Sequence, residues 1–246
     1  RLDYLPYYRD YRIDYQYAEK DPTADIEGHD ACRKICILAS LCFGKHVYPE
    51  SVHTEGITKV TLSDVAYVNN LGGVIKLIGR AKRLGNGKIS AVVSPCVVMT
   101  SSQLANVSDV FNAILVRGDA IGDVVFYGRG AGKLPTASAV VADVIDCAKH
   151  TNRKKIFGWG PSEDGYVVDY EELDTALFVR ATADDVEKAK AAVEKVFGTV
   201  KFVSRDNQPE NEFAFVTDNE KEKELVAKLD SISEIKPCSV IRVSDY

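Results

Sequence analysis

The sequence has 246 residues, of which 46% are hydrophobic and 27% charged, and its formal net charge is −5 at pH 7. This size predicts one large or two unequal globular domains, and the acidic balance argues against nucleic-acid binding, which needs a basic face. No apolar run reaches the roughly 18 residues of a membrane span, and the first residues do not have the regions of a secretory signal.

The first two segments of the chain differ in character. Residues 1–16 mix tyrosine with arginine and aspartate and show no periodic apolar face, so we assign them no fold. The next segment, residues 17–34, concentrates acidic side chains ahead of a lysine; they are Glu19, Asp21, Asp25, Glu27, Asp30 and Lys34. It leads into apolar residues with a 3.6-residue period, which predict a helix over 28–44 that ends at Gly44.

The middle of the chain predicts a sheet with helices. The 3.6-residue period predicts a helix over 62–71. Strands are then predicted over 73–81, 89–99, 110–116 and 121–127. Residues 117–120 supply a hairpin turn between the last two strands. A further helix over 135–148 is expected to have Pro135 at its first position. This order predicts a mixed sheet backed by helices on one side.

The end of the chain predicts a second, smaller domain. Residues 151–172 are rich in charge and glycine, and we interpret them as a linker. Residues 173–246 follow the order strand, helix, strand, strand, helix, strand, which is ferredoxin-like. The fold class predicted for the whole chain is therefore α+β: a mixed sheet backed by helices, followed by a ferredoxin-like βαββαβ domain.

Six cysteines and four histidines show no metal-binding spacing. The chain has no Cys-x-x-Cys pair, and Cys32, Cys36 and Cys42 lie in one predicted helix with apolar surroundings. We therefore expect buried, reduced thiols in a cytoplasmic protein, and no metal site. A divalent-metal site among the carboxylates of residues 17–34 is a weaker alternative, because Lys34 would compete with the cation.

The acidic segment has a structural and a functional interpretation. Loops before helices attract one or two carboxylates as N-caps and first-turn charges, which predicts a solvated loop. The solvated-loop interpretation accounts less well for a series of carboxylates ending in Lys34. This lysine stands four residues after Asp30 and shares its helix face. In a closed site such a lysine can exchange a proton with a substrate hydroxyl group, and the remaining carboxylates suit a substrate ammonium group.

Two weaker patterns lie further along the chain. Residues 127–132 read Tyr-Gly-Arg-Gly-Ala-Gly, between a predicted strand and a predicted helix. They form either a flexible turn or a close backbone approach to an anionic or carbonyl-bearing ligand; the spacing is not that of the dinucleotide fingerprint. Asn112 lies in an apolar strand and is interpreted as a satisfied polar group of the core.

Taken together, these residues resemble the homoserine dehydrogenase family over about residues 17–148. The motifs that carry the resemblance are residues 17–34, 72–79, 110–113, 118–123 and 127–143. It implies an enzyme that interconverts L-homoserine and L-aspartate 4-semialdehyde with NAD or NADP, in threonine and methionine biosynthesis. Residues 17–150 would then form a substrate-binding, catalytic and dimerisation domain.

The resemblance also implies roles for individual residues. Lys34 corresponds to the lysine that moves the hydroxyl proton, and Asp30 corresponds to its partner carboxylate. Glu19 and Asp25 correspond to carboxylates that bind the substrate.

Other parts of the resemblance concern the coenzyme. Gly130 or Gly132 corresponds to the backbone element that contacts the nicotinamide end of NAD or NADP. Members of the family begin with a Rossmann domain, which we do not find in this sequence, so we expect this polypeptide alone to be inactive.

The family's usual His-Pro pair is replaced by Ser102-Gln103. The alternative function is a non-catalytic module that binds an amino acid and dimerises.

Residues 173–246 resemble an ACT domain, which implies regulation by an amino acid, with threonine as the natural effector. The usual Asp-x-Pro-Gly-like turn after the first strand is replaced by residues 183–185, Ala-Asp-Asp. The resemblance to the family also implies a homodimer. The helix face and edge strand of this domain could instead serve dimerisation alone.

Overall fold

The computed structural model describes residues 21–152, 156 and 158–245. These residues fall into two units, which we describe separately. The first contains residues 23–99 and the chain from residue 158 onward, and the second contains residues 100–157. The part of the chain that the structure describes has no helix long and apolar enough to cross a bilayer.

The helices and strands are numbered in chain order. The α-helices are α1 Thr23–Ile26, α2 His29–Phe43, α3 Leu62–Leu71, α4 Lys133–Lys149, α5 Val186–Phe197 and α6 Glu222–Asp230. The strands are β1 His53–Thr54, β2 Gly73–Arg83, β3 Ile89–Met99, β4 Phe111–Gly118, β5 Gly122–Arg129, β6 Val167–Val168, β7 Asp174–Thr182, β8 Lys201–Val203, β9 Glu212–Val216, β10 Glu220–Lys221 and β11 Lys236–Val243. Short 3-10 helices cover Pro49–Ser51, Gln103–Asn106 and Tyr170–Glu172.

The first unit is built on β3. Along one edge, β3 pairs antiparallel with the whole of β2. Three short segments line up in parallel along its other edge: β6 at Ile89, β1 at Val92 and β11 at Cys96. Since β11 also pairs antiparallel with β7, the sheet continues through β7 to β9 and β8. The result is a mixed sheet, as the sequence predicted.

Helices back this sheet. The core residues of α2 pack against Ile89, Ala91 and Val93, and those of α3 pack with Val97. All four positions are odd-numbered and so lie on one face of β3. Farther along the sheet, α5 and α6 cover one face of β7 and β9, while α3 covers the other face. The prediction of a sheet backed by helices is therefore confirmed.

Local sequence explains where α2 and α3 begin and end. Gly28 and Gly44 flank α2 with φ values of 79° and 85°, in the left-handed region that glycine adopts readily. The Gly44 amide donates to the Ser40 carbonyl and closes the helix. At the start of α3, Thr61 and Asp64 form a capping box, in which each side chain accepts a hydrogen bond from the other residue's amide.

Several sequence predictions differ from the structure in detail. The expectation that Pro135 takes the first position of its helix is wrong, because α4 starts at Lys133 with Gly132 as its N-cap. Proline is still tolerated there, since first-turn amides need no helical partner. Residues 151–172, predicted as a linker, contain β6, which pairs with β3. The domain limits 17–150 and 173–246 stay a prediction.

The thiol prediction is correct for some cysteines only. Cys32 and Cys36 are buried, but Cys42, Cys147 and Cys238 are exposed. Burial and the neighbouring Cys32 raise the pKa of Cys36 to about 12, so its thiol stays protonated at neutral pH.

The second unit contains the β4–β5 hairpin and α4. The two strands pair antiparallel from Phe111 opposite Arg129 to Gly118 opposite Gly122. Within this unit many apolar side chains are exposed; they are Ile114, Val116, Ile121, Phe126, Tyr127, Leu134, Val140, Val141, Val144, Ile145 and Ile156.

A buried ion network ties α3 to the sheet of the first unit. The guanidinium of Arg180 on β7 donates to Asp64 at 2.7 Å and to Glu212 at 2.8 Å. Asp64 is completely buried, and its carboxylate also accepts the Thr61 amide at 2.8 Å. Glu212 is held from a second side by Arg205 at 2.8 Å. Burial opposes ionisation of Glu212, but the two arginines outweigh it and hold its pKa below the ordinary value.

This network predicts an acid-dependent loss of stability. Because the folded pKa of Glu212 lies below its ordinary value of 4.5, the unfolded chain binds the proton more readily. The stabilisation is therefore complete above pH 4.5 and is lost as the pH falls through the lowered folded pKa. Urea unfolding of the protein and of Glu212→Gln from about pH 7 to about pH 3 measures this loss of stability. The difference between their free energies of unfolding should shrink as the pH falls. A difference that does not change with pH would contradict this assignment.

Candidate functional site

The pair predicted from its spacing, Asp30 and Lys34, is formed on α2. Lys34 Nζ lies 2.6 Å from Asp30 Oδ2, with side chains that are 59% and 42% exposed. An ion pair this exposed adds less than about 1 kcal/mol to stability. Asp30 also stands in the first turn of α2, where a carboxylate complements the helix dipole. The pair therefore contributes little to the fold, and its ammonium group is accessible to a ligand.

The other predicted carboxylates lie just before α2. Asp25 is an exposed residue of α1. A tight turn joins the two helices, because the Gly28 amide donates to the Asp25 carbonyl at 3.3 Å and the Cys32 amide donates to the Gly28 carbonyl at 2.9 Å. Glu19 falls outside the residues that the structure describes. Residues 25–28, which comprise the end of α1 and the turn after it and which we call the acidic loop, thus lead directly into the helix that carries Asp30 and Lys34.

The acidic loop rests on residues that sequence reasoning missed. The Ile57 amide donates to the Ile26 carbonyl at 2.9 Å. A Cβ added to Gly56 would lie 2.5 Å from that carbonyl oxygen and 2.6 Å from the Cα of Glu27. Since real Cβ atoms do not approach so closely, only glycine fits at this position without moving the loop. An isolated glycine just after a short strand is a signal for such a close approach.

Charged residues lie next to Gly56 and Ile57, which contact the acidic loop. Glu55 directly precedes Gly56, and its carboxylate lies 2.9 Å from Nη1 of Arg242 and 2.5 Å from Nε2 of His53. Arg242 also binds Glu222 through two hydrogen bonds, at 2.7 and 2.6 Å. Burial raises the pKa of Glu55, but the charge of Arg242 and the hydrogen bond from His53 outweigh it, so its pKa lies below the ordinary value.

A cleft of about 500 Å³ borders α2 on the neighbouring face. Its lining residues are His29, Cys32, Arg33, Pro49, Glu50, Val52, His53 and Thr54. Asp25, Asp30 and Lys34 do not line it. The side chains that carry the predicted proton chemistry are therefore not part of its lining. In the described ranges 21–152, 156 and 158–245, no three His, Cys, Asp or Glu side chains group as metal ligands.

The glycines predicted to contact a coenzyme lie in the second unit. Gly132 is the N-cap of α4, with φ 122° and ψ 151°, and no side chain caps this helix start. Gly130 packs tightly on Asn112, because an added Cβ would lie 1.6 Å from the amide nitrogen of that side chain. The Gly130 amide donates to the Val110 carbonyl at 2.9 Å, whereas no side chain caps the amides at the start of α4. The prediction that Asn112 is a satisfied polar group of the core is wrong, because Asn112 is exposed on β4, where it packs against Gly130.

The chain is similar to known proteins over most of its length. A family model described as homoserine dehydrogenase matches residues 12–145. Homoserine dehydrogenase of Pseudomonas aeruginosa is 40% identical over 176 residues, which cover 69% of this chain and 40% of that protein. The enzyme of the same name from Mycobacterium leprae is 46% identical over 155 residues, covering 61% of this chain and 34% of that protein.

A solved structure extends the similarity to the C-terminal residues. The crystal structure of a homoserine dehydrogenase from Thiobacillus denitrificans matches with a TM-score of 0.77 and 31% identity. The match covers 96% of this chain and 57% of that one. The chain thus spans two fifths or less of the length of the two relatives above, and somewhat more than half of the solved protein.

Proposed function

Because the chain belongs to the homoserine dehydrogenase family, we propose that it supplies the substrate-binding and proton-transferring part of an enzyme that interconverts L-homoserine and L-aspartate 4-semialdehyde. The observation that carries this proposal is the accessible Asp30–Lys34 pair at the start of α2. The acidic loop leads directly into this helix and adds Asp25 nearby in the chain. The proposed coenzyme is NAD or NADP.

Lys34 moves the proton in this proposal. In the reducing direction, its ammonium group donates a proton to the C4 oxygen of the aldehyde as that oxygen becomes a hydroxyl. In the oxidising direction, Nζ takes the same proton back. Asp30, at 2.6 Å, orients the ammonium group and balances its charge. The bound coenzyme supplies the hydride donor or acceptor.

The substrate and the coenzyme need separate binding groups. Asp25 and Glu19 bind the substrate ammonium group, which is the ligand that a cluster of carboxylates favours. Gly132 would hold the nicotinamide end of the coenzyme through the backbone amides at the start of α4. Gly130 would contribute backbone contact only, because its own amide donates to the Val110 carbonyl at 2.9 Å.

The C-terminal residues 173–246 form an ACT-like regulatory domain in this proposal. Its support is the strand order β11–β7–β9–β8, with α5 and α6 packed on one face, which is the order of a ferredoxin-like βαββαβ unit. Threonine is the proposed effector. The exposed apolar side chains of the second unit support a homodimer, because such surfaces in monomers are costly. The free cysteines are consistent with a cytoplasmic protein.

Coenzyme reduction that depends on L-homoserine tests the proposal directly. The protein is produced at the full length its gene encodes, and absorbance of the reduced nicotinamide is followed with NAD or NADP. We expect turnover with L-homoserine and none with L-threonine, which has no primary alcohol at C4. Binding of homoserine or threonine without turnover would instead favour the non-catalytic amino-acid-binding module.

A further inference from the structure

Arg242 lies at the junction between the C-terminal residues and the segment 53–57 that contacts the acidic loop. Along one edge of β3, β1 pairs at Val92 and Val93, and β11 pairs at Cys96 and Val97. The two short segments therefore meet end to end on the same strand. The chain leaves β1 at Glu55 and passes the side chain of Arg242, which explains their 2.9 Å ion pair.

The side chain of Arg242 is largely shielded from solvent. Its side chain is 10% exposed, and its guanidinium joins Glu55 on one side to Glu222 of α6 on the other. Burial lowers the pKa of an arginine, but the two carboxylates outweigh it and raise the pKa of Arg242. The guanidinium also lies over the ring of Tyr170, 5.1 Å from its centroid, and that ring stacks on His53 at 3.7 Å. These contacts hold Glu55 in one place.

Glu55 in turn fixes the support of the acidic loop. The next two residues, Gly56 and Ile57, form the close approach and the hydrogen bond to Ile26. A displacement of Glu55 would therefore move the acidic loop, which presents Asp25 and starts α2. The contacts run in one series from β11 to Ile26, the residue that follows Asp25.

We infer that Arg242 is a positioning residue for the substrate-binding loop, and that through it the ACT-like residues set the affinity of the site for homoserine. This inference rests on the proposed function. It also gives the C-terminal residues a physical route to the active site, because α6 and β11 hold Arg242 through Glu222 and the β3 pairing. A rearrangement of α6 would change the position of Arg242 and, with it, the acidic loop.

Steady-state kinetics of Arg242→Met in the full-length protein test the inference. Misplaced binding groups cost about tenfold or more, so the KM for homoserine should rise by about tenfold. The KM for the coenzyme should stay unchanged, since the proposed coenzyme glycines belong to the other unit. A merely structural role would reduce the folded fraction and lower kcat without changing the KM for homoserine. The KM of Arg242→Lys for homoserine should lie between those of Arg242→Met and the unaltered protein. Lysine keeps the positive charge but lacks the planar guanidinium that donates to Glu55 and Glu222 at once.

A second variant and a matched control separate positioning from folding. Glu55→Gln breaks the ion pair to the loop but keeps the pair of Arg242 with Glu222, so the fold should survive and the same rise in KM should follow. Arg205→Met is the control, because it removes a half-buried arginine of the same domain that pairs with Glu212 instead. It should leave the KM for homoserine unchanged.

Hydrogen exchange at the Ile57 amide gives a readout that needs no activity. This amide binds the Ile26 carbonyl, and we expect its exchange to be about tenfold faster in Arg242→Met and Glu55→Gln but not in Arg205→Met. Unchanged exchange and unchanged KM in the two test variants would overturn the inference. If the unaltered protein does not oxidise homoserine, the proposed function fails, and the exchange rates alone decide the positioning role.

Discussion

Replacing Lys34 by alanine should lower kcat for homoserine oxidation by about 10²- to 10⁴-fold, the contribution of a positioned acid or base. The KM for homoserine should change far less, because the proposed carboxylates that bind the ammonium group remain. The folded state should also remain, since the Asp30–Lys34 ion pair is exposed and stabilises by less than about 1 kcal/mol. Steady-state kinetics and urea unfolding of the same sample measure both effects.

Arg33→Ala is the matched control for this variant. Arg33 is the preceding residue on α2, is exposed and carries the same charge, but it lines the cleft and not the Asp30–Lys34 face. It should retain near-normal kcat. Near-normal turnover by Lys34→Ala would show that another group moves the proton.

The largest effect on stability is expected from Arg180→Met. This change removes the cation between Asp64, which is completely buried, and Glu212. Removing one partner of a buried pair leaves a charge without its counter-ion and costs about 3–5 kcal/mol. Because Arg180 joins α3 to β7, the loss should weaken the packing of residues 23–99 on the C-terminal strands. The free energy of unfolding from urea titrations at neutral pH measures it.

Arg80→Met controls for the substitution itself. Arg80 pairs with Asp245 at 3.3 Å, and the carboxylate is 60% exposed. Exposed pairs contribute at most about 1 kcal/mol, so this variant should be almost as stable as the unaltered protein. Equal losses in the two variants would mean that the buried network does not stabilise the fold.

Elements with strong local patterns could be predicted from the sequence. The helix Leu62–Leu71 and the strand Ile89–Met99 have the predicted bounds, because their apolar periods are regular and glycine or polar residues flank them. The predicted start of α4 was wrong because Pro135 is compatible with several positions of a first helical turn. A two-residue segment such as β6 has too few residues to show a period, so its pairing with β3 could not be foreseen.

In the candidate site, too, local patterns predict some contacts and not others. Asp30 and Lys34 meet because four residues make about one helical turn, which is a local rule. The contact between Gly56 and Ile26, and that between Glu55 and Arg242, join segments that are distant in the chain. They arise from the order of strands along β3, which no local pattern contains. A signal was nevertheless present in Arg180 and Arg242, each a lone arginine in an apolar strand, since such a residue needs a buried partner.

The shared edge of β3 also has a consequence for biosynthesis. On the ribosome, β3 emerges well before β11, and more than half of the chain separates them. Until residues 236–243 follow, the edge of β3 that does not pair with β2 has no partner near Cys96 and Val97, and an open edge of this kind favours aggregation. We therefore expect the sheet of residues 23–99 to be complete only after β11 has been synthesised. During this interval the nascent chain exposes an unpaired strand edge to which chaperones can bind.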